Sequence, residues 1–152
     1  MNRVTQIRIG IDPDLEKSGY CIISKRPFAP KWNIELLTTL RFFDVVAAIE
    51  DAKMQGLVPG NRVTVCIEAG WLNKSIHHYA HNKSVAGRIG KSVGENHAVG
   101  KLLVEHCQNI GVAHILVKPE SKKWDSVLFK KITGWETRTN QEMRDACRTA
   151  WL

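Results

Sequence analysis

Two stretches of the chain are dominated by β-branched residues, and both end on an acid. Residues 4–11 carry Val4, Thr5, Ile7, Ile9 and Ile11, with no breaker before Gly10, and run into Asp12 and Pro13. Residues 62–68 (RVTVCIE) end on Glu68. This composition predicts strands, the first of them central. Residues 18–23 resume β-like composition soon after Pro13 and predict a hairpin partner for the first strand. A third strand follows over 33–42. Residues 43–54 place Phe43, Val46, Ala47, Ile49 and Ala52 roughly on one face, predicting an amphipathic helix that Gly56 ends.

Beyond Glu68, residues 69–82 predict an exposed loop or a frayed helix start. Residues 84–109 are helical in pattern despite Gly87, Gly90, Gly94 and Gly100, which predict close packing or a break. A fifth strand is expected over 113–118, a lysine-rich helix over 121–132 and a last helix over 140–151. Early strands followed by alternation predict an α/β domain, residues 1–152, with a mixed five-stranded sheet and helices on its faces.

Composition narrows the picture. The 152 residues are 43% hydrophobic and 24% charged, which suits one globular domain. No run is long and apolar enough for a membrane span, and the N-terminus enters a strand without the apolar region of a signal peptide. Cys21, Cys66, Cys107 and Cys147 form no C-x-x-C pair and sit in apolar segments, as reduced core residues of a cytoplasmic protein do. The net charge of +7 favours a polyanionic partner, most simply nucleic acid.

Chemistry concentrates on the acids. Asp12-Pro13-Asp14 is good turn sequence in its own right, but a rigid strand tip is also where a catalytic carboxylate is best placed. If the first and fourth strands are parallel neighbours, Asp12 and Glu68 meet. Glu142 and Asp145 are three residues apart and share a helix face. Thr139-Asn140-Gln141-Glu142 also fits a capping box, with Thr139 as the cap. Asp145 borders the apolar face of its helix and needs a partner. Crowded carboxylates stay ionised with difficulty unless a cation joins them, and hard ions such as Mg²⁺ and Mn²⁺ take such ligands.

The motifs Ile9-Gly10-Ile11-Asp12-Pro13, Val65-Cys66-Ile67-Glu68 and Glu142-Met143-Arg144-Asp145-Ala146 resemble those of the RuvC-type Holliday junction resolvases, which have the RNase H-like fold. The resemblance extends to compact phage or mobile-element members. It implies that Asp12, Glu68, Glu142 and Asp145 hold two Mg²⁺ ions per site, Mn²⁺ being the other option. It further implies a homodimer acting on branched DNA, with 5′-phosphate and 3′-hydroxyl products. The family often has Asp or His at the position of Glu142. The I-G-I-D opening also occurs in actin-like ATPases and sugar kinases, which need two such domains and a glycine-rich phosphate hairpin. The resemblance carries a functional lysine onto Lys118 and an aromatic that stacks on bases onto Trp71. Packing against the sheet is the other reading of that tryptophan.

Lys74, Lys83, Arg88, Lys122, Lys123 and Arg144 are the DNA-binding candidates, and Lys130, Lys131, Arg138 and Arg148 extend a basic surface. His77 and His81 are four residues apart around His78 and Tyr79, but lack a third ligand for zinc and read as a DNA-facing loop or plain surface. Leu102, Leu103 and Cys107 mark a candidate dimer surface. The function expected is a structure-specific endodeoxyribonuclease for four-way or other branched DNA. An RNase H-like nuclease for RNA–DNA hybrids or flaps, and a catalytically silent binding module, are the alternatives.

Overall fold

The computed structural model describes residues 3–73 and 83–152, without the side chains of Lys83, Ser84 and Ala86. The sequence runs through β1 (Thr5–Asp12), β2 (Ser18–Lys25), β3 (Asn33–Leu40), α1 (Phe42–Gly56) and β4 (Asn61–Glu68). A 3₁₀ turn (Gly70–Leu72), α2 (Lys83–Ile110), β5 (His114–Val117), α3 (Ser126–Thr133) and α4 (Gln141–Trp151) follow. The sheet order is β3-β2-β1-β4-β5. β1 is antiparallel to β2 and parallel to β4, β2 is antiparallel to β3, and β4 is parallel to β5. This is the mixed five-stranded α/β architecture expected from the sequence.

Period-two alternation divides each strand between two cores. Ile9, Ile11, Val63, Val65 and Ile67 pack with Val45 and Ile49 of α1 and Val99, Leu103 and Cys107 of α2. Cys21 and Ile23 of β2 pack on the other face with Phe129 of α3 and Ala146, Cys147 and Ala150 of α4. All four cysteines are buried free thiols.

Small residues let α4 settle close to the sheet. A Cβ at Gly10 would lie 1.9 Å from the Ala146 carbonyl oxygen, and one at Gly19 would lie 2.0 Å from that of Glu142. No side chain fits at either position. Arg8 secures the far end of the helix by donating to the Ala150 and Leu152 carbonyls, with its guanidinium over the Trp32 ring. A cation there also suits the helix dipole.

Several expectations change. Phe43 is 80% exposed, because α1 begins at Phe42 and buries Val45, Ile49 and Ala52 instead. α2 runs unbroken through its glycines; Gly87, Gly90 and Gly94 have open space around them, and Gly100 is the one closely packed. Leu103 and Cys107 are fully buried in the chain's own core, and of the three only Leu102 is exposed. The helix expected over 121–132 starts only at Ser126, because the Asp125 side chain caps it by accepting from Leu128 N–H. α4 is capped by Asn140, which accepts from Met143 N–H, so Thr139 is not its cap and Glu142 does not sit at the capping-box position. Among the described residues, no helix is long and apolar enough to cross a membrane.

Candidate metal centre

The pairing of Ile11 with Ile67 aligns the ends of β1 and β4 and sets Asp12 beside Glu68. By alternation both side chains leave the sheet on the face where Gly10 and Cys66 lie, which is the face α4 covers. The close approach at Gly10 and Gly19 then brings Asp145 to the same point. Carboxylate oxygens of Asp12, Glu68 and Asp145 lie within 4.8 Å of one another. Glu142, one turn earlier on α4, is exposed and faces a neighbouring groove with Asn140, Arg41 and Lys17.

Glu68 and Asp145 are 7% and 4% exposed. Lys123 donates to Asp145 Oδ2 at 2.6 Å and stands 4.0 Å from Glu68 Oε1, while Gln141 donates to Asp145 Oδ1. Thr149 Oγ1 lies 3.4 Å from Glu68 Oε2 and 2.8 Å from the Asp145 carbonyl oxygen. The Asp12 carboxyl makes no hydrogen bond with the described residues. Burial, then the Glu68 and Asp145 charges, push its pKa up to about 8. Burial also raises Glu68, against the pull of Lys123 and Arg148. For Lys123, burial works against the charge, but the Asp145 hydrogen bond and surrounding carboxylates hold its pKa above the ordinary lysine value. Three converging carboxylates, one of them uncompensated, fit a hard divalent cation.

The segment carrying Lys123 is clamped by α4. Gln141 Nε2 and Arg144 Nε donate to the Trp124 carbonyl, and Arg148 Nη1 donates to that of Lys122. Arg144 also donates to the Thr139 carbonyl, Thr139 Oγ1 and Gln141 Oε1, so its guanidinium is committed inside the protein. Arg148 is 2% exposed and lies 3.6 Å from Glu120; it belongs to the interior and not to the basic surface expected of it.

Lys118 is exposed and has no ion pair or hydrogen bond with the described residues. Val117, the last residue of β5, pairs with Glu68, and Lys118 follows it outside the strand and is not among the residues that wall the acids' pocket. Lys122 is exposed beside Lys123, and Arg88 is exposed on α2. Lys74, His77, His78 and His81 lie outside the described residues, as does the Lys83 side chain.

Trp71 is half-buried. It stands edge-on to His97, lies under the Lys101 ammonium, and would meet a Cβ at Gly100 at 2.6 Å. With Pro13, Gly70, Val93, Asn96 and His97, it walls a pocket of about 310 Å³ that also contains Asp12, Glu68 and Lys123. His97, Asn96 and Thr149 are not among the residues that sequence motifs single out. Spacing on α2 gives no hint that His97 reaches the strand-end acids, because the long segment before α2 hides the register.

No protein-family model matches this chain, and no curated protein matches it by sequence. Among solved structures it is similar to T. thermophilus RuvC in complex with Holliday junction substrate, at a TM-score of 0.56 and 13% identity over 95% of this chain and 90% of that one. The likeness establishes the fold: this chain has the RNase H-like fold of RuvC.

Proposed function

We propose that the chain is a metal-dependent endonuclease acting on branched DNA. The observation that carries this reading is the convergence of Asp12, Glu68 and Asp145 within 4.8 Å at one end of the sheet. The fold of RuvC and the net charge of +7 support it. Asp12, Glu68 and Asp145 would hold Mg²⁺ or Mn²⁺, with Glu142 at the margin for a second ion. Such ions supply Lewis acidity and lower the pKa of water to a range useful at neutral pH.

The residues of the chain define the rest. Hydrolysis forms a bond from a water oxygen to phosphorus and breaks the P–O3′ bond, leaving a 5′-phosphate and a 3′-hydroxyl. Lys123 stands at the mouth of the acid cluster and offsets charge that builds on the phosphate oxygens. Pro13, Trp71 and His97 wall the pocket, restricting water and ordering the strand. Lys122 and Arg88 add phosphate contacts. A junction cut on opposing strands requires two copies, so the functional unit proposed is a homodimer.

The test is cleavage of a labelled four-way junction in Mg²⁺, with Asp12→Asn and EDTA as controls. Paired symmetric nicks lost in both controls support the proposal. Metal-dependent cutting of RNA–DNA hybrids or flaps alone would keep the centre and replace the substrate. Binding without cutting in either metal would leave a silent module.

A further inference from the structure

Asn96 and His97 are adjacent on α2, line the same pocket and are used in opposite ways. Both ends of the Asn96 amide are occupied: Oδ1 accepts from Leu15 N–H, and Nδ2 donates to Asp14 Oδ2. These bonds tie α2 to the β1–β2 hairpin and fix the height of the next residue above the acids. The His97 imidazole is half-buried, and neither nitrogen has a hydrogen-bond partner among the described residues. Its ring rests against Gly70, where a Cβ would lie 2.8 Å from Nε2, and it meets Trp71 edge-on at 6.1 Å between ring centres.

We propose that His97 is a substrate-binding residue that donates a hydrogen bond to a backbone phosphate oxygen of the DNA strand entering the metal centre. The inference rests on the endonuclease reading above. α2 and α4 cover opposite faces of the sheet, so His97 and Lys123 reach the pocket from its two sides. A strand laid across the strand-end acids passes between them. Burial and the Lys101 charge hold the imidazole towards its neutral form, which keeps one N–H to donate. The fixed backbone at Asn96 makes that donor preorganised, so little ordering cost attends its use.

The experiment combines His97 variants with single methylphosphonate linkages placed along the DNA substrate that the wild type cuts. His97→Phe preserves the ring against Gly70 and Trp71 without a donor; His97→Gln restores a donor without the ring. Loss of a hydrogen bond to a charged group predicts roughly a tenfold or greater fall in kcat/KM for His97→Phe, with substantial rescue in His97→Gln. One methylphosphonate position should weaken the wild type by a similar factor and leave His97→Phe unaffected. Full activity in His97→Phe, or equal sensitivity of both proteins at every linkage, would overturn the phosphate contact. A changed base preference at the cut site with no linkage effect would show a base contact in its place and overturn it equally. A wild type that neither cuts nor binds DNA fails the nuclease reading and this inference together, whereas a wild type that cuts normally beside an equally active His97→Phe fails this inference alone.

Discussion

The backbone of Glu142 leaves no room for a side chain at Gly19: a Cβ there would stand 2.0 Å from its carbonyl oxygen. With Gly10 against Ala146, this contact sets how far α4 stands from the sheet, and hence whether Asp145 reaches Asp12 and Glu68. Gly19→Ala and Gly10→Ala should each destabilise the protein by about 3 kcal/mol or more in urea unfolding, since the obstacle is backbone. Divalent-ion binding should weaken in whatever folded fraction remains. A near-neutral Gly10→Ala would refute the packing argument.

Asp12 gives a pH signature. The unfolded chain releases this proton near the ordinary aspartate value of 3.8, whereas the folded protein holds it to about 8. The folded state therefore binds more protons between those values, and stability falls as pH rises through them. Without metal, Tm should decline between about pH 5 and 8. Millimolar Mg²⁺ or Mn²⁺ should reverse the decline, increasingly so at the alkaline end. Asp12→Asn should flatten both trends, abolish cleavage and retain DNA binding; thermal melts with and without metal read the first, junction assays the others.

Lys123 and Lys118 separate two positions for the working lysine. Lys123→Ala removes the cation 2.6 Å from Asp145 and should cost roughly 1–3 kcal/mol of metal-free stability, as expected when a charged hydrogen bond is lost. Its cleavage rate should fall at least tenfold. Lys118→Ala, at an exposed site outside the wall of the acids' pocket, should change the rate less than about twofold. The reverse ranking would restore Lys118.

Arg144 and Lys122 should differ in the same way. Arg144→Ala breaks the clamp on Trp124 and Thr139, costing about 2 kcal/mol or more in stability without altering the salt dependence of DNA binding. Lys122→Ala should leave stability intact and reduce the slope of log K against log salt by about one. Anisotropy titrations at several ionic strengths distinguish the two.

Strands were legible because β-branched runs and period two act locally, and the acids were legible because they terminate those runs. The parallel β1–β4 pairing that unites Asp12 and Glu68 is a condition the sequence leaves open and the sheet supplies. Lys123 is legible as a DNA-binding candidate, but its place against Asp145 and Glu68 is hidden by an expected helix start that lies too early. The signal was present in Asp125, which caps α3 and leaves residues 121–124 free to bend over the acids. A side chain such as Arg148, buried between α4 and the 120–122 segment, has no local signature. Its basic type and its place on a terminal helix point to the surface, and only the tertiary clamp draws it inside. Trp71 and His97 meet because α2 crosses near the end of β4, a register set by packing and not by spacing.

The seating of α4 also bears on when the acid cluster is complete. β1 is the central strand, yet the helix that completes its acid cluster is the last element described, so the decisive contacts span nearly the whole chain. Contacts of such high order carry a large loop-closure cost, which the packing of α4 on the sheet has to offset. A chain whose sheet has formed but whose last helix has not docked possesses Asp12 and Glu68 without Asp145 or the clamped Lys123. Assembly of the complete acid cluster, and with it the nuclease activity proposed above, is thereby coupled to complete folding.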